Sequence, residues 1–182
     1  KHPDEATPAM ALVIPEHPEA VGLVAGSGPM QDELEALVEQ LDMTGRIHFL
    51  GHVDQVELSR IIPHCITLSP LTGMALVECG LGGSPLVAFD RDWQAEFVEE
   101  GVNGYVVPFL DHGQMAERAS RLISGRDLWR RMSSMSRERA LDFAAVGGVS
   151  FLLFLPWMAK NFFQVGGQAG LRKTNTHANS LG

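Results

Sequence analysis

The sequence has little cysteine. Cys65 and Cys79 are the only two cysteines in 182 residues. Two cysteines cannot build the disulfide framework of a small secreted domain, and both stand in apolar stretches. We therefore expect two buried thiols in a reducing compartment.

Basic residues are also scarce. The chain has 14 Lys and Arg against 22 Asp and Glu, a formal net charge of -8. A general nucleic-acid binder needs a basic face to neutralise phosphates. The charge therefore argues against a nucleic-acid partner.

The sequence lacks the spacings that mark common metal and catalytic sites. His48 and His52 are four residues apart, which on a strand separates them by roughly 13 Å. His64 and Cys65 have no second pair of ligands at zinc spacing. There is no Walker loop and no Gly-x-Ser-x-Gly elbow. We expect no metal site, and the reducing compartment that the cysteines indicate leads us to expect a cytoplasmic location.

Acidic residues are absent beyond Asp142, where Lys160, Arg172 and Lys173 are the only charged residues. This break divides the chain into a folded domain, residues 1–142, and an atypical tail, residues 143–182. Residues 143–159 carry no charge. They fit a helix packed on the domain or a partner, a segment in peripheral contact with the cytoplasmic membrane face, or sequence foreign to the domain. The Gly-, Asn- and Thr-rich residues 166–182 are expected to be poorly ordered.

Short apolar runs alternate with amphipathic stretches along residues 1–142. Strands are predicted at 21–25, 47–50, 66–68, 85–89 and 104–107. Helices are predicted at 4–15, 30–41, 56–62, 74–81, 93–99, 113–123 and 127–143. This alternation predicts an α/β fold, a Rossmann-like parallel sheet with helices on both faces. Ligands of such sheets bind at the carboxyl ends of the strands.

One carboxylate stands inside an otherwise apolar predicted helix. Residues 69–78 read SPLTGMALVE and place Glu78 about one and a half turns after a glycine-containing turn. A helix start suits a phosphate, and a carboxylate further in can accept hydrogen bonds from sugar hydroxyls. The alternative is a surface glutamate on a short helix.

Two further segments lie at predicted strand ends. Gly26 and Gly28 allow a ligand to approach the backbone, although Gln31 stands where a dinucleotide fingerprint has its third glycine. The alternative is a tight strand-to-helix turn. Residues 90–96, DRDWQAE, fit either the lining of a substrate pocket or a capped helix start.

Five stretches carry a more specific signal in their order and spacing. They are VAGSGP at 24–29, IHFLGHV at 47–53, SPLTGMALVE at 69–78, GSPLVA at 83–88, and EFVEEGVNGYVVP at 96–108. Together they resemble the C-terminal, donor-binding domain of family 4 glycosyltransferases, which are retaining enzymes of the two-domain GT-B fold. The resemblance covers about two-thirds of the chain and implies one half of a GT-B fold.

The resemblance implies roles for individual residues. Glu78 matches a glutamate that binds the ribose hydroxyls of the nucleotide. His52 and Val53 match the loop that holds the nucleobase. The backbone near the donor diphosphate and sugar corresponds to the turn and helix start at Thr72, Gly73 and Met74, with the glycine turn at Gly26 and Gly28 beside it.

Two departures from the family pattern bear on catalysis. Pro70 stands where the family has its first glutamate, eight residues before Glu78. Lys1 resembles the lysine of a basic segment that holds the diphosphate, so the partner arginine and the N-terminal acceptor domain would lie upstream. The resemblance thus implies a donor-binding domain truncated at its N-terminus and inactive by itself.

The function implied is donor binding in a retaining transfer of a sugar from a nucleoside-diphosphate sugar to an acceptor, with no metal and no cofactor beyond that donor. The alternatives are a nucleotide-binding or assembly module without catalysis, and a sugar-nucleotide epimerase of the same fold. An epimerase would convert the donor without any acceptor.

Overall fold

The computed structural model describes residues 2–146 and 161–167, with side chains as far as Ala145. Lys1 and most of the expected tail, including the charge-free residues 147–159, lie outside the described residues. Among the described helices, none has both the length and the apolarity needed to cross a membrane.

Strands and helices alternate as the sequence predicts. The strands are β1 (Ala20–Gly26), β2 (Ile47–Gly51), β3 (Cys65–Ser69), β4 (Leu86–Phe89), β5 (Gly104–Val107) and β6 (Asn161–Gly167). The helices are α1 (Thr7–Glu16), α2 (Gln31–Gln40), α3 (Gln55–Ile61), α4 (Met74–Leu81), α5 (Gln94–Phe97), α6 (His112–Ser124) and α7 (Arg126–Val146). Short 3₁₀ turns cover Pro3–Glu5 and Ile62–His64.

Side-chain caps fix where some of these helices begin. Asp54 precedes α3 and its carboxylate accepts a hydrogen bond from the backbone N–H of Glu57, 2.8 Å away. Asp111 does the same for Gln114 at the start of α6, also at 2.8 Å. Each cap satisfies a backbone donor that the first turn leaves unpaired, so α3 and α6 start at defined residues.

Helices cover both faces of the sheet, because side chains of successive strand residues point to opposite faces. In β4, Val87 and Phe89 join one apolar cluster, whereas Leu86 and Ala88 join another. Residues of α1 and α6 pack in the first cluster, and residues of α3, α4 and α7 pack in the second. The predicted α/β fold with helices on both faces is confirmed.

The centre of the sheet departs from the prediction. The strand order is β2-β1-β6-β3-β4-β5. The β1–β2, β3–β4 and β4–β5 pairs are parallel, as predicted, but β6 runs antiparallel to both β1 and β3. The predicted parallel pairing therefore holds among the predicted strands, and β6, where no strand was predicted, adds an antiparallel strand between β1 and β3.

The residues of β6 come from the expected tail, where no strand was predicted. Their sequence, NFFQVGG, includes aromatic and β-branched residues that favour strands. The tail was interpreted from its overall composition and its lack of charge, so the strand propensity of these seven residues was not recognised. Because β6 pairs with a strand on each side, it joins β1–β2 to β3–β5 in one sheet.

The end of α7 also extends past the expected domain boundary. Phe143, assigned to the tail from the sequence, lies in this helix. Its ring stacks on Trp93 with centroids 5.7 Å apart and meets Phe97 edge-on at 5.3 Å. These contacts attach α7 to the segment that follows β4.

Candidate functional site

The loop from Ser69 to Gly73 and the start of α4 form the centre of the candidate site. They follow β3 at the carboxyl edge of the parallel strands. Gly73 caps α4 in an extended conformation, with φ 174° and ψ 165°. A Cβ added at Gly73 would meet no atom within 4 Å among the described residues, so the backbone faces open space here. This is the position where a ligand can approach the first N–H groups of the helix.

Glu78 lies on the second turn of α4 and is buried, with 7% of its surface exposed. Gln55 Nε2 lies 3.5 Å from Glu78 Oε1, a long hydrogen bond from the first residue of α3. Glu78 Oε2 is buried and has no hydrogen-bond partner among the described residues. The interpretation of Glu78 as a surface glutamate is therefore wrong.

Burial sets the protonation of this carboxyl group. It raises the pKa of Glu78 from 4.5 to about 7, and the hydrogen bond from Gln55 opposes that rise only in part. Near neutral pH the group exchanges a proton readily. Removing an ion from water without full compensation is costly, so an additional donor to Oε2 would stabilise the charged form.

A hydrogen-bond network holds the loop after β3. Ser69 Oγ donates to Gln94 Oε1 at 2.5 Å, and Gln94 Nε2 donates to the carbonyl oxygen of Phe89 at 3.1 Å. Gln94 is fully buried. Thr72 Oγ1 donates to Asp92 Oδ2 at 3.1 Å. Two contacts therefore connect this loop to the segment that follows β4.

The segment at 90–96, interpreted from the sequence either as pocket lining or as a capped helix start, is a helix start without a side-chain cap. Gln94 begins the short helix α5, and Asp92 lies in the left-handed region at φ 50°. Asp92 reaches the loop before α4, and Trp93 packs in the apolar cluster behind it.

The remaining predicted residues are spread along the same edge. Gly26 ends β1 at φ 120° beside Gly51, and a Cβ at Gly28 would meet no described atom within 4 Å. His52 is exposed. Val53 is buried, with 3% of its surface exposed, and packs in the apolar cluster that contains Leu76. Met74 is half-buried, and the prediction for Lys1 lies outside the described residues.

Sequence reasoning missed one residue of the site, Gln55, whereas Gln94 lies in the segment 90–96 that the sequence singled out. Gln55 follows a capping aspartate and resembles an ordinary residue of a first helical turn. Its contact with Glu78 spans 23 residues, and no local pattern encodes it. In the part of the chain that the structure describes, no group of three or more His, Cys, Asp or Glu side chains is placed to hold a metal ion.

Comparison with known families decides the relationship. The sequence model of the family "Glycosyl transferases group 1" matches residues 1–139. The chain belongs to this family. The expected Rossmann-like half of a GT-B fold agrees with the structures that it resembles.

Curated relatives are longer than this chain. It is 29% identical over 120 residues to alpha-D-kanosaminyltransferase of Streptomyces kanamyceticus, a match of 61% of this chain and 30% of the relative. It is 29% identical over 155 residues to spore coat protein SA of Bacillus subtilis, a match of 77% of this chain and 41% of the relative. The chain thus spans less than half of each.

Solved structures show the same fold. The pneumococcal O-GlcNAc transferase GtfA, in complex with UDP and GlcNAc, matches 86% of this chain and 32% of its own, with a TM-score of 0.68 and 25% identity. Anabaena HepE in complex with UDP matches 87% of this chain and 46% of its own chain, with a TM-score of 0.67 and 23% identity.

Proposed function

We propose that this chain is the donor-binding half of a retaining family 4 glycosyltransferase, which transfers a sugar from a nucleoside-diphosphate sugar to an acceptor. The observation that carries the proposal is Glu78 Oε2, a buried carboxylate oxygen without a hydrogen-bond partner among the described residues. An oxygen of this kind needs a donor. A ribose offers two neighbouring hydroxyls, which suit the two oxygens of one carboxylate.

The surroundings of Glu78 support a nucleotide at this place. The start of α4 supplies partial positive charge and unpaired N–H groups for a phosphate, and Gly73 leaves room for it. His52, exposed at the end of β2, is available to a nucleobase. Relatives that carry glycosyltransferase names, and structural neighbours solved with UDP, are consistent with this proposal.

The chemistry of transfer requires that negative charge developing on the leaving diphosphate be stabilised. In this proposal the helix start provides that stabilisation and Glu78 fixes the nucleotide by its ribose. The acceptor domain would supply the other wall of the cleft. We therefore expect sugar transfer only when an acceptor domain is joined to this chain.

Pro70 favours a second candidate, a nucleotide-binding or assembly module without catalysis. A proline side chain neither exchanges a proton nor accepts a hydrogen bond, and it occupies the first position of the loop after β3. Such a module binds nucleotide and does not hydrolyse or transfer the donor. Joining an acceptor domain and assaying donor hydrolysis and transfer, in wild type and Glu78→Ala, separates the two candidates.

Nucleotide binding is tested first, by calorimetry with UDP, GDP and ADP and with the matching nucleosides. We expect one nucleoside diphosphate and its matching nucleoside to bind. Glu78→Gln should lower the affinity for both compounds roughly ten- to 100-fold. Glu117→Gln, an exposed glutamate of α6, is the matched control. Failure of the folded wild-type chain to bind any of these compounds would contradict the proposal.

A further inference from the structure

Among the described loops at the carboxyl edge of the parallel strands, one carries a side chain of fixed positive charge. Five loops follow β1 to β5, at residues 27–30, 52–54, 70–73, 90–93 and 108–111. Arg91 is the only Lys or Arg in these loops. They also contain Asp54, Asp90, Asp92 and Asp111. An anion that binds at this edge therefore has a single side chain of fixed positive charge in these loops to approach.

Arg91 is held in a defined position. Its Nη1 donates to both carboxylate oxygens of Glu5, at 3.2 and 3.1 Å. Its guanidinium carbon lies 4.8 Å from the centre of the Phe109 ring. The carbonyl oxygen of Glu5 also lies 2.9 Å from His112 Nε2, which attaches the 3₁₀ turn to the start of α6. A guanidinium restrained on two sides loses little conformational entropy when it binds a ligand.

Capacity for a second anion remains on this side chain. Both hydrogen bonds to Glu5 come from the same nitrogen, Nη1, whereas a guanidinium carries five N–H donors. The side chain of Arg91 is 32% exposed, so solvent and ligands reach it. Glu5, with 16% exposed, lies on the more buried side of the pair. The ion pair thus orients Arg91 without using all of its donors.

The next residue along the chain ties Arg91 to the start of α4. Asp92 accepts the hydrogen bond from Thr72, 3.1 Å away, and Thr72 directly precedes Gly73. Asp92 takes up a left-handed conformation, φ 50°, that is uncommon for residues other than glycine. The Thr72 contact therefore brings the loop that carries Arg91 to the loop that opens α4.

We propose that Arg91 binds the diphosphate of the nucleotide donor, together with the N–H groups at the start of α4. This inference rests on the proposed function, because it needs a nucleotide with its ribose at Glu78. Arginine suits phosphate oxygens through paired N–H donors, and the helix start adds a second source of positive potential. Arg91 is then a binding residue for phosphate charge, whereas Glu78 is a binding residue for the nucleoside.

The two roles predict different patterns of affinity. Glu78→Gln weakens nucleoside and nucleoside diphosphate together. Arg91→Ala weakens the diphosphate about tenfold or more and leaves the nucleoside unchanged, because a charge-assisted phosphate contact is lost. Arg91→Lys keeps the positive charge without the planar pair of N–H donors. Its affinity for the diphosphate is therefore expected to lie between those of wild type and Arg91→Ala.

The experiment measures dissociation constants of the folded chain by calorimetry for the nucleoside and nucleoside diphosphate that bind wild type. Arg130→Ala is the matched control, since Arg130 pairs with Asp127 on α7. Glu5→Gln removes the ion pair and retains Arg91. If the pair only stabilises the fold, Glu5→Gln and Arg91→Ala lower the melting temperature alike and neither changes the ratio of the two affinities.

The outcomes separate this inference from the proposed function. A wild-type chain that binds neither compound overturns both. A wild-type chain that binds both, with the same affinity ratio in Arg91→Ala, overturns only the role of Arg91. If Arg91→Ala fails to fold, the ratio measured in Arg91→Lys decides, and a wild-type ratio together with a wild-type salt dependence of diphosphate binding would reject the inference.

Discussion

The side-chain nitrogen of Gln55 lies 3.5 Å from Oε1 of Glu78, and this contact joins the first residue of α3 to the second turn of α4. The two helices follow different strands, so their starts meet only at the carboxyl edge of the sheet. The contact uses one carboxylate oxygen and leaves the other, buried, for a ligand. Glu78 is thereby held in place before any ligand arrives.

The first prediction concerns stability and pH. Burial raises the pKa of Glu78 from 4.5 to about 7, so the folded chain binds more protons at this site than the unfolded chain between these values. Stability from this group is then lost as pH rises through that window. As pH rises through this window, the free energy of unfolding of wild type should fall by up to about 3 kcal/mol more than that of Glu78→Gln. Urea denaturation at about pH 5 and about pH 8 measures the difference.

The second prediction concerns ligand affinity and Gln55. A charged Glu78 accepts ribose hydroxyls best, so nucleoside affinity should rise as pH increases through about 7. Gln55→Leu removes the contact that lowers the pKa of Glu78, which moves this rise to higher pH. At neutral pH the affinity should fall roughly two- to fivefold. Calorimetry across the pH range tests this, and an unchanged pH profile in Gln55→Leu would show that Gln55 does not lower the pKa of Glu78.

The third prediction compares two glycines. Gly73→Ala should leave the melting temperature nearly unchanged, because its new Cβ meets no described atom within 4 Å. It should still weaken nucleoside diphosphate binding, since the methyl group occupies space beside the start of α4. Gly104→Ala should do the reverse, as its Cβ would overlap the carbonyl oxygen of Leu86. We expect a loss of about 3 kcal/mol or more in that variant.

Thermal unfolding and calorimetry on both variants test the comparison. Gly113→Ala on α6 serves as the control, because its new Cβ would meet only Asp111 Oδ1, at an ordinary contact distance of 3.5 Å. Full diphosphate affinity in Gly73→Ala would show that the space beside Gly73 is not used by the ligand.

The fourth prediction concerns β6. Residues of this strand pair with β1 and with β3, so a chain ending at Val146 loses hydrogen bonds on both sides. Its two remaining groups of strands then expose unpaired edges, which promote association between chains. We expect a lower melting temperature and concentration-dependent aggregation. Light scattering measures the aggregation.

The control for that truncation is a chain ending at Gly167, which retains β6. It should keep the melting temperature of the full chain. Equal stability of the two truncated chains would show that β6 contributes little to the sheet.

Much of the fold follows from local patterns in the sequence. The helix predicted at 74–81 is α4, and Glu78 lies inside it as expected. Periodicity alone establishes such elements, because it reports which side chains an element buries. It does not report partners. The contacts Gln55–Glu78 and Arg91–Glu5 join residues 23 and 86 positions apart, and only the assembled sheet brings them together.

The strand β6 shows a different limit. Its residues favour a strand, but nothing local says that the strand runs against its neighbours or lies between β1 and β3. Pairing and direction depend on which edges remain open after the other strands have formed. The tail was interpreted from its composition, and composition carries no information about register.

The position of β6 has a consequence for the order in which the chain assembles. The ribosome makes residues 161–167 after the other five described strands, although they pair at the middle of the sheet. β1 with β2, and β3 with β4 and β5, can form as two separate groups while synthesis continues. Their inner edges stay open until the last strand arrives and closes loops of more than a hundred residues to β1. A chaperone that shields open strand edges would therefore act on this sheet in the interval between the synthesis of β5 and the synthesis of β6.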